Sequence, residues 1–179
     1  VRCPKGVPRS MWRPKGLCSM TTAEQVFSKH TRRPIGPPTE GEAYAPSNIA
    51  LSKYWGKRDA ALNLPLNSSL SISLGPWGTH TRIEPAENDR LTFNGVELPA
   101  AVPEATKVWR FADLFAGPDR AKLHITTENS IPTAAGLASS ASGFAALTLA
   151  LDGAFQTALS RQELSMLARF GSGSATRSF

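Results

Sequence analysis

Residues 132–141 read Pro132-Thr-Ala-Ala-Gly136-Leu-Ala-Ser139-Ser140-Ala141 and stand directly before a long, alanine-rich apolar stretch. Small residues let a backbone approach a ligand closely, and glycine tolerates dihedral angles that other residues avoid. If a helix begins in this segment, its free N–H groups and its dipole favour an anion there. The stretch therefore predicts a phosphate-binding loop at a helix start or, on physical grounds alone, a loop that serves packing and capping. It is not a Walker loop, because Gly-Lys-Ser/Thr is absent.

Outward from this loop, alternating patterns come first along the chain and helical patterns follow. Alternation and turn residues predict strands over residues 42–49, 69–74, 79–84, 91–93, 96–98 and 123–127. Asn94-Gly95 predicts a tight hairpin, and Gly75-Pro-Trp-Gly78 predicts a second turn between residues 69–74 and 79–84. Helical spacing predicts helices over residues 106–115, about 136–158 and, after the capping box Ser160-Arg-Gln-Glu163, up to residue 170. This order indicates an α+β fold.

The net charge of +6 is unevenly distributed along the 179 residues. Residues 1–40 carry eight basic and two acidic side chains, whereas residues 41–179 carry twelve of each. The pattern predicts a basic, disordered arm over residues 1–40 and one folded domain over residues 41–179. Because the excess charge lies in the arm, it does not indicate nucleic-acid binding by the folded body. We interpret residues 1–19 as an upstream extension or the result of a misplaced start, with Met20 as an ordinary start.

Cysteine, histidine and hydropathy patterns narrow the class of protein further. Both cysteines, Cys3 and Cys18, lie in the arm, so the body has neither a disulfide framework nor a thiolate metal site. The three histidines have no metal-ligand spacing. No run reaches the ~18 apolar residues that a membrane helix needs. These observations favour a cytoplasmic enzyme that contacts no membrane.

Four segments together carry a family resemblance. Residues 132–141 match the Pro-x-x-x-Gly-Leu-x-Ser-Ser-Ala phosphate-binding motif of the GHMP kinase superfamily at each fixed position. Residues 45–59 (APSNIALSKYWGKRD), 62–69 (LNLPLNSS) and 168–178 (ARFGSGSATRS) resemble segments of mevalonate diphosphate decarboxylases, in the family order. The superfamily motif alone does not separate kinase from decarboxylase, but the other segments do.

The resemblance implies a GHMP-kinase-type N-terminal domain, with a mixed or antiparallel sheet packed on helices and the C-terminal half absent. It implies ATP-dependent decarboxylation of mevalonate 5-diphosphate to isopentenyl diphosphate, with ATP and Mg²⁺ as cofactors. The substrate's tertiary hydroxyl is first phosphorylated, and phosphate then departs together with carbon dioxide. The resemblance also implies a cytoplasmic homodimer at full length.

The resemblance assigns individual residues to this chemistry. The predicted nucleotide contacts are Gly136, Leu137, Ala138, Ser139, Ser140 and Ser142, with Ser139 also at the metal ion. The predicted substrate contacts are Tyr54, Lys57, Asn63, Ser172, Ser174 and Arg177, of which Arg177 and Lys57 are also catalytic. A guanidinium matches a carboxylate with two parallel hydrogen bonds, as Arg177 would need for the departing carboxylate. Ser172 and Ser174 are predicted on one side of an extended segment, whereas Ser69 can instead simply solvate a strand edge.

Two departures from the family pattern and several alternatives remain. Thr176 stands where many relatives have cysteine. The family's catalytic aspartate belongs to the second half, and no aspartate of this sequence lies in a matching motif. The alternatives are another GHMP enzyme, such as a phosphomevalonate decarboxylase or a mevalonate kinase-like protein, and a nonfunctional fragment or basic-armed binding module. This fragment is also expected to expose apolar surface that the second half of family members would cover.

Overall fold

A computed structural model describes residues 22–31, 36–53, 56–131 and 139–179 of the chain. Its strands are β1 (Gly41–Ser52), β2 (Lys57–Asp59), β3 (Leu64–Pro65), β4 (Leu70–Pro85), β5 (Arg90–Phe93), β6 (Val96–Leu98) and β7 (Leu123–Asn129). Its helices are α1 (Ala23–His30), α2 (Pro103–Ala116), α3 (Ser139–Phe155) and α4 (Arg161–Ala168), followed by a short 3₁₀ helix, Ala175–Arg177.

The main sheet has five strands in the order β1-β4-β7-β5-β6, and β2 pairs with β3 separately. All neighbours in the main sheet are antiparallel except β5 and β7, which run parallel. The sheet is therefore mixed, and α3 packs on β1 and β4. The α+β class predicted from the order of elements is confirmed.

The predicted turn over residues 75–78 is wrong, because β4 runs unbroken through it. β1 is twelve residues long and pairs with both halves of β4: Gly41 lies opposite Ile83, and Asn48 lies opposite Ser73. A register shift between Pro46 and Asn48 accommodates the irregular stretch. The two patterned runs are thus one strand interrupted by a bulge rather than two strands of a hairpin.

The Asn94-Gly95 hairpin is confirmed and closes β5 on β6. Both turn residues have positive φ, 48° at Asn94 and 78° at Gly95, as a two-residue hairpin turn requires. The Asn94 side chain also accepts a 2.8 Å hydrogen bond from the Asn129 N–H. The hairpin is thereby tied to β7 at the point where the chain leaves the sheet for the predicted phosphate loop.

The core lies between the inner face of the sheet and helices α2, α3 and α4. α3 presents small buried side chains, including Ala145, Ala146 and Ala150, which let it lie close to β1. A Cβ at Gly41 would collide with the backbone of α3 at Ala150, so this close approach depends on glycine. β1 and β4 also expose apolar side chains, among them Ile49 and Ile72, which lie opposite each other.

Part of the predicted basic arm is structured. Residues 23–30 form α1, which Thr22 and Gln25 begin with a reciprocal capping box. Phe27 is buried, and its ring packs edge-on against Phe111, Phe115 and Phe170 at 5.3–6.3 Å between centroids. The prediction of a disordered arm therefore fails for residues 22–31, since one aromatic side chain anchors them in the core. Residues 1–21 lie outside the described part.

The predicted helices are confirmed with adjusted ends. α4 begins at the predicted capping box, in which the Glu163 N–H donates to the Ser160 hydroxyl. It ends at Ala168, and residues 169–174 form turns that lead into the 3₁₀ helix. Among the helices of the described residues, none is long and apolar enough to cross a membrane.

Candidate active site

Arg177 lies in the 3₁₀ helix, and its guanidinium is held by two side chains from other elements. Its Nε donates to Asn48 Oδ1 at 3.2 Å, and its Nη1 donates to the Ser69 hydroxyl at 2.8 Å. A guanidinium has five N–H groups. Among the described residues three therefore have no acceptor, one on Nη1 and two on Nη2. One N–H from each of these two nitrogens makes the end-on fork that a carboxylate or phosphate accepts.

Asn48 positions Arg177 from β1, next to the register shift opposite the bulge of β4. Its side chain is buried, with 3% exposure, and its Nδ2 donates to the Ser178 hydroxyl at 2.7 Å. The amide thus contacts both Arg177 and its neighbour Ser178. Because the residues that flank the predicted catalytic arginine are fixed to the sheet, Arg177 is oriented without a ligand.

Hydroxyl groups from two segments gather at the start of α3. Ser172 and Ser174 share a hydrogen bond of 3.2 Å, and Ser172 lies 3.5 Å from the Ser140 hydroxyl at the start of α3. The two serines lie on one side as expected, but the segment is a turn and not extended. Gly171 makes the turn possible, because a Cβ there would collide with the Phe144 ring.

Ser142 lies one turn into α3 and faces the sheet. Its side chain is fully buried, and its hydroxyl contacts those of Ser47 at 3.0 Å and Thr79 at 2.8 Å. It also donates to the Ser139 carbonyl at 3.2 Å. These partners use the bonding capacity of the hydroxyl, so Ser142 fastens the start of α3 to β1 and β4.

A cavity of about 390 Å³ opens beside Ser139 and Ser140. Its walls are mainly apolar, with Phe93, Val108 and Phe144 among them, and Lys107 and Asn129 add polar groups. A volume of this size, apolar with a few polar groups, is typical of a small-molecule site. The described part of the predicted phosphate motif thus stands at the mouth of a space large enough for a flat aromatic base.

Lys57 and Asn63 meet across the β2–β3 pair. Lys57 Nζ donates to Asn63 Oδ1 at 2.6 Å. Asn63 Nδ2 donates to the carbonyls of Arg169 and Phe170, at 3.0 and 3.4 Å. Asn63 also has φ 51°, in the left-handed region that asparagine tolerates. Its amide is therefore occupied in linking Lys57 to the end of α4.

The cations of this region lack carboxylate partners. All fourteen acidic side chains of the sequence lie in the described residues. Seven of them form ion pairs, with partners that include Arg82, Arg90 and Arg120. In contrast, the described ion pairs include none from four basic residues of this region, Lys57, Arg58, Arg169 and Arg177. This end of the molecule therefore carries uncompensated positive charge.

Several predicted site residues lie outside the described part, namely Tyr54, Gly136, Leu137 and Ala138. The structure brings Ser140, Ser172 and Ser174 together, holds Arg177 through Asn48 and Ser69, and separately links Lys57 with Asn63. Sequence reasoning missed Asn48 and Ser178, and it left Ser69 as a possible strand-edge residue. Asn48 and Ser69 stand inside the quoted family-like segments, but nothing in their spacing indicates a contact with Arg177.

A sequence model of the diphosphomevalonate decarboxylase-like N-terminal domain matches residues 45–179. The chain belongs to this family. Diphosphomevalonate decarboxylase from Candida albicans is 45% identical over 151 residues, which is 75% of this chain and 41% of the relative. The resemblance inferred from the four segments is therefore confirmed.

Solved structures of the family share the fold. Mevalonate diphosphate decarboxylase from Staphylococcus aureus is 42% identical with a TM-score of 0.71, covering 78% of this chain and 43% of that protein. A complex described as MDDEF with MVAPP, AMPPCP and magnesium is 40% identical with a TM-score of 0.69, covering 78% and 44%. The chain spans about two fifths of the length of the decarboxylases it matches.

Proposed function

We propose that this chain is the ATP- and substrate-binding part of an enzyme that converts mevalonate 5-diphosphate to isopentenyl diphosphate. The observation that carries this proposal is the Arg177 guanidinium, held by Asn48 and Ser69 with its end-on fork left for an anion. In the proposed reaction this fork binds the substrate carboxylate that leaves as carbon dioxide. The fork suits a carboxylate because two parallel N–H···O bonds fix its plane.

The diphosphate group is proposed to lie against Lys57, Ser172 and Ser174, with Tyr54 from outside the described residues. Lys57 supplies the positive charge, and the hydroxyls supply hydrogen bonds to phosphate oxygens. Asn63 acts as a positioning residue, because its amide already bonds Lys57 and the end of α4. No carboxylate of the described residues forms an ion pair with Lys57, so its charge is available to the substrate.

The cavity beside Ser139 and Ser140 is proposed to hold the base of ATP, with the phosphates at the start of α3. Helix N–H groups and the serine hydroxyls bind phosphate oxygens there. Gly136, Leu137 and Ala138 are proposed to complete this loop, whereas Ser142 anchors it from beneath. A complex of a family structure with AMPPCP supports the assignment.

Ser139 is the proposed protein ligand of Mg²⁺. The described residues contain no cluster of three histidine, cysteine or carboxylate side chains that could hold a metal ion. One hydroxyl nevertheless fits this ion, which commonly keeps several waters and takes its other ligands from substrate phosphates. When bound, the ion offsets negative charge on the transferred phosphoryl group.

The proposed reaction has two stages. The tertiary hydroxyl of the substrate loses its proton and receives a phosphoryl group from ATP. The bond to the carboxylate carbon then breaks, its electrons form the new double bond, and inorganic phosphate leaves with carbon dioxide. Arg177 orients the carboxylate throughout, while an aspartate outside residues 1–179 is proposed to accept the proton. We also propose that the complete protein is a cytoplasmic homodimer.

Product analysis of the complete protein that contains this chain tests the proposal. With ATP, Mg²⁺ and mevalonate diphosphate, mass spectrometry should show isopentenyl diphosphate, ADP and phosphate in equal amounts, with carbon dioxide. Turnover of mevalonate monophosphate instead would assign a phosphomevalonate decarboxylase. A phosphorylated product that keeps its carboxylate would assign a kinase. Light scattering of the same sample measures whether it is a dimer.

A further inference from the structure

Arg169, at the C-terminal end of α4, has a buried guanidinium nitrogen that makes no hydrogen bond. Its Nε is buried and has no hydrogen-bond acceptor. The guanidinium carbon lies 5.9 Å from the Phe170 ring centre, but no carboxylate lies within ion-pair distance. A buried N–H of a charged group without an acceptor is costly, so its retention calls for an explanation.

Arg120 shows how this protein satisfies an arginine that serves only the fold. Its side chain is 3% exposed, and its guanidinium pairs with Asp89 at 2.8 Å and Asp113 at 3.0 Å, although its Nε, like that of Arg169, makes no hydrogen bond. The ring of Trp109 covers it, with the guanidinium carbon 5.1 Å from the ring centre. Arg169 has the aromatic neighbour but neither carboxylate.

The surroundings of Arg169 add positive charge instead of neutralising it. Burial and then the nearby charge of Arg58 lower the pKa of the Arg169 guanidinium. The carbonyl of Arg169 accepts a hydrogen bond from Asn63, which also binds Lys57. Arg58 therefore acts on the Arg169 guanidinium directly, and Asn63 ties Lys57 to the same end of α4, next to the turn that carries Ser172.

We propose that Arg169, assisted by Arg58, is a further binding residue for the diphosphate group of the substrate. The inference rests on the proposed function and adds a contact that neither the sequence motifs nor the family resemblance assigns. A planar guanidinium can bind two phosphate oxygens at once, which Lys57 cannot do. A diphosphate also carries enough negative charge to offset two arginines and a lysine in close proximity.

A ligand-binding role and a structural role for Arg169 predict opposite effects on stability. If Arg169 only supports the fold, Arg169→Gln lowers the melting temperature of the free protein. If Arg169 instead binds an anion, the same change removes the repulsion between Arg169 and Arg58 and the buried N–H that has no acceptor. The free protein is then at least as stable as before, while the stabilisation by ligand is reduced.

The test uses the complete protein and calorimetric titration with inorganic pyrophosphate, mevalonate diphosphate and AMPPCP, together with melting curves. Arg169→Gln should weaken pyrophosphate and mevalonate diphosphate about tenfold or more, the scale of one charged hydrogen bond. AMPPCP binding and the ligand-free melting temperature should not fall. Arg82→Gln, a matched control on the outer face of the sheet, pairs with Glu40 and Glu84 and should change none of the affinities.

Three outcomes would overturn the inference: an unchanged affinity for pyrophosphate, a loss confined to AMPPCP, or a lower melting temperature with normal binding. The outcome is separable from that of the proposed function. Pyrophosphate binding that depends on Arg169, in a protein that makes no isopentenyl diphosphate, would uphold the anion site and reject the activity. Normal turnover that depends on Arg177, with Arg169→Gln binding normally, would uphold the activity and reject the role of Arg169.

Discussion

Two protein acceptors fix the Arg177 guanidinium, and its remaining N–H groups define what it can bind. Because Asn48 takes Nε, only the end-on fork of Nη1 and Nη2 faces a ligand. A lysine at this position would offer one point of charge in place of a fork. A comparison of arginine with lysine at position 177 therefore separates the binding of a carboxylate by two hydrogen bonds from attraction by charge alone.

In the complete protein we expect Arg177→Lys to reduce kcat with mevalonate diphosphate by roughly tenfold to a hundredfold, because a charged hydrogen bond of ~1.5–3 kcal/mol is lost. Ser139→Ala should act mainly on ATP, raising its apparent KM or slowing phosphoryl transfer. Steady-state titrations in each substrate measure both effects. If Arg177→Lys weakened only ATP and Ser139→Ala weakened only the acid substrate, the two assignments would be exchanged.

Asp89 gives a stability prediction at a residue away from the site. Burial raises the pKa of its carboxyl, but hydrogen bonds from Arg120 and the Leu123 N–H outweigh this, so the pKa lies below its usual value. Asp89→Asn should cost about 1–3 kcal/mol at pH 7. The pKa is lowered on folding, so this stabilisation is complete above ~3.9, the usual pKa, and is lost as pH falls through the folded value.

Denaturant melts of the parent and Asp89→Asn at several pH values test this. The difference in unfolding free energy should shrink between pH 5 and pH 2. Asp119→Asn is the control, because Asp119 is exposed and outside the described ion pairs. A difference that grew on acidification would show that the sign is wrong.

At this scale the sequence predicts candidate residues better than their partners. Arg177, Ser172 and Ser174 could be proposed from one short segment that resembles the family. Asn48 and Ser69 could not be paired with Arg177, because they lie 129 and 108 residues away along the chain. Only the pairing of β1 with β4 and the packing of α3 bring them together.

Among the elements, the β2–β3 pair is attached to the end of α4 by one side chain. We expect Asn63→Gly in the complete protein to raise KM for mevalonate diphosphate several-fold, because Lys57 loses its 2.6 Å acceptor. Glycine accepts the left-handed backbone of this position, so the change removes the side chain without adding strain.

A matched control separates the backbone effect from the side-chain effect. Ala158 also has a positive φ, 53°, and is remote from the site. Ala158→Gly should leave KM unchanged and raise stability by up to ~1 kcal/mol through relief of strain. If both variants changed KM equally, Asn63 would have no specific link to Lys57.

The elements predicted correctly were those whose sequence motif lies entirely within a few neighbouring residues. The hairpin at Asn94-Gly95 and the capping box before α4 each lie within four residues and were confirmed. The turn predicted at residues 75–78 was wrong, because Gly75 and Pro76 have the same local chemistry in a bulged strand as in a turn. The length of β1, which pairs on both sides of the bulge, decides between them, and that is a tertiary property.

At the scale of the whole molecule, Phe27 anchors residues 22–31 in the core, whereas residues 1–21 lie outside the described structure. Removal of residues 1–19 should leave the melting temperature unchanged. Phe27→Ala should cost ~3–5 kcal/mol, which lowers the melting temperature by on the order of 10 °C for a chain of this size. Trp77→Ala, at an aromatic residue that is 57% exposed, is the matched control in the same calorimetric scans.

The 179-residue chain by itself is expected to bind ligands without completing the reaction. With ATP and Mg²⁺ it should release no carbon dioxide from mevalonate diphosphate above background, because no acidic residue of this sequence lies in a motif that matches the catalytic aspartate. Radiolabelled substrate gives a sensitive measurement. Turnover comparable to that of the complete protein would reject this expectation and require the aspartate to be among the fourteen acidic residues present.

The distribution of ion pairs also has a kinetic consequence. Carboxylates neutralise Arg82 on the outer face of the sheet, while the cations near the end of α4 remain uncompensated. The resulting field attracts polyanions before contact, so we expect association to be faster than random encounter and to slow steeply with ionic strength. Dissociation should depend on salt much less, which makes the capture of ligand, more than its retention, sensitive to the salt concentration of the medium.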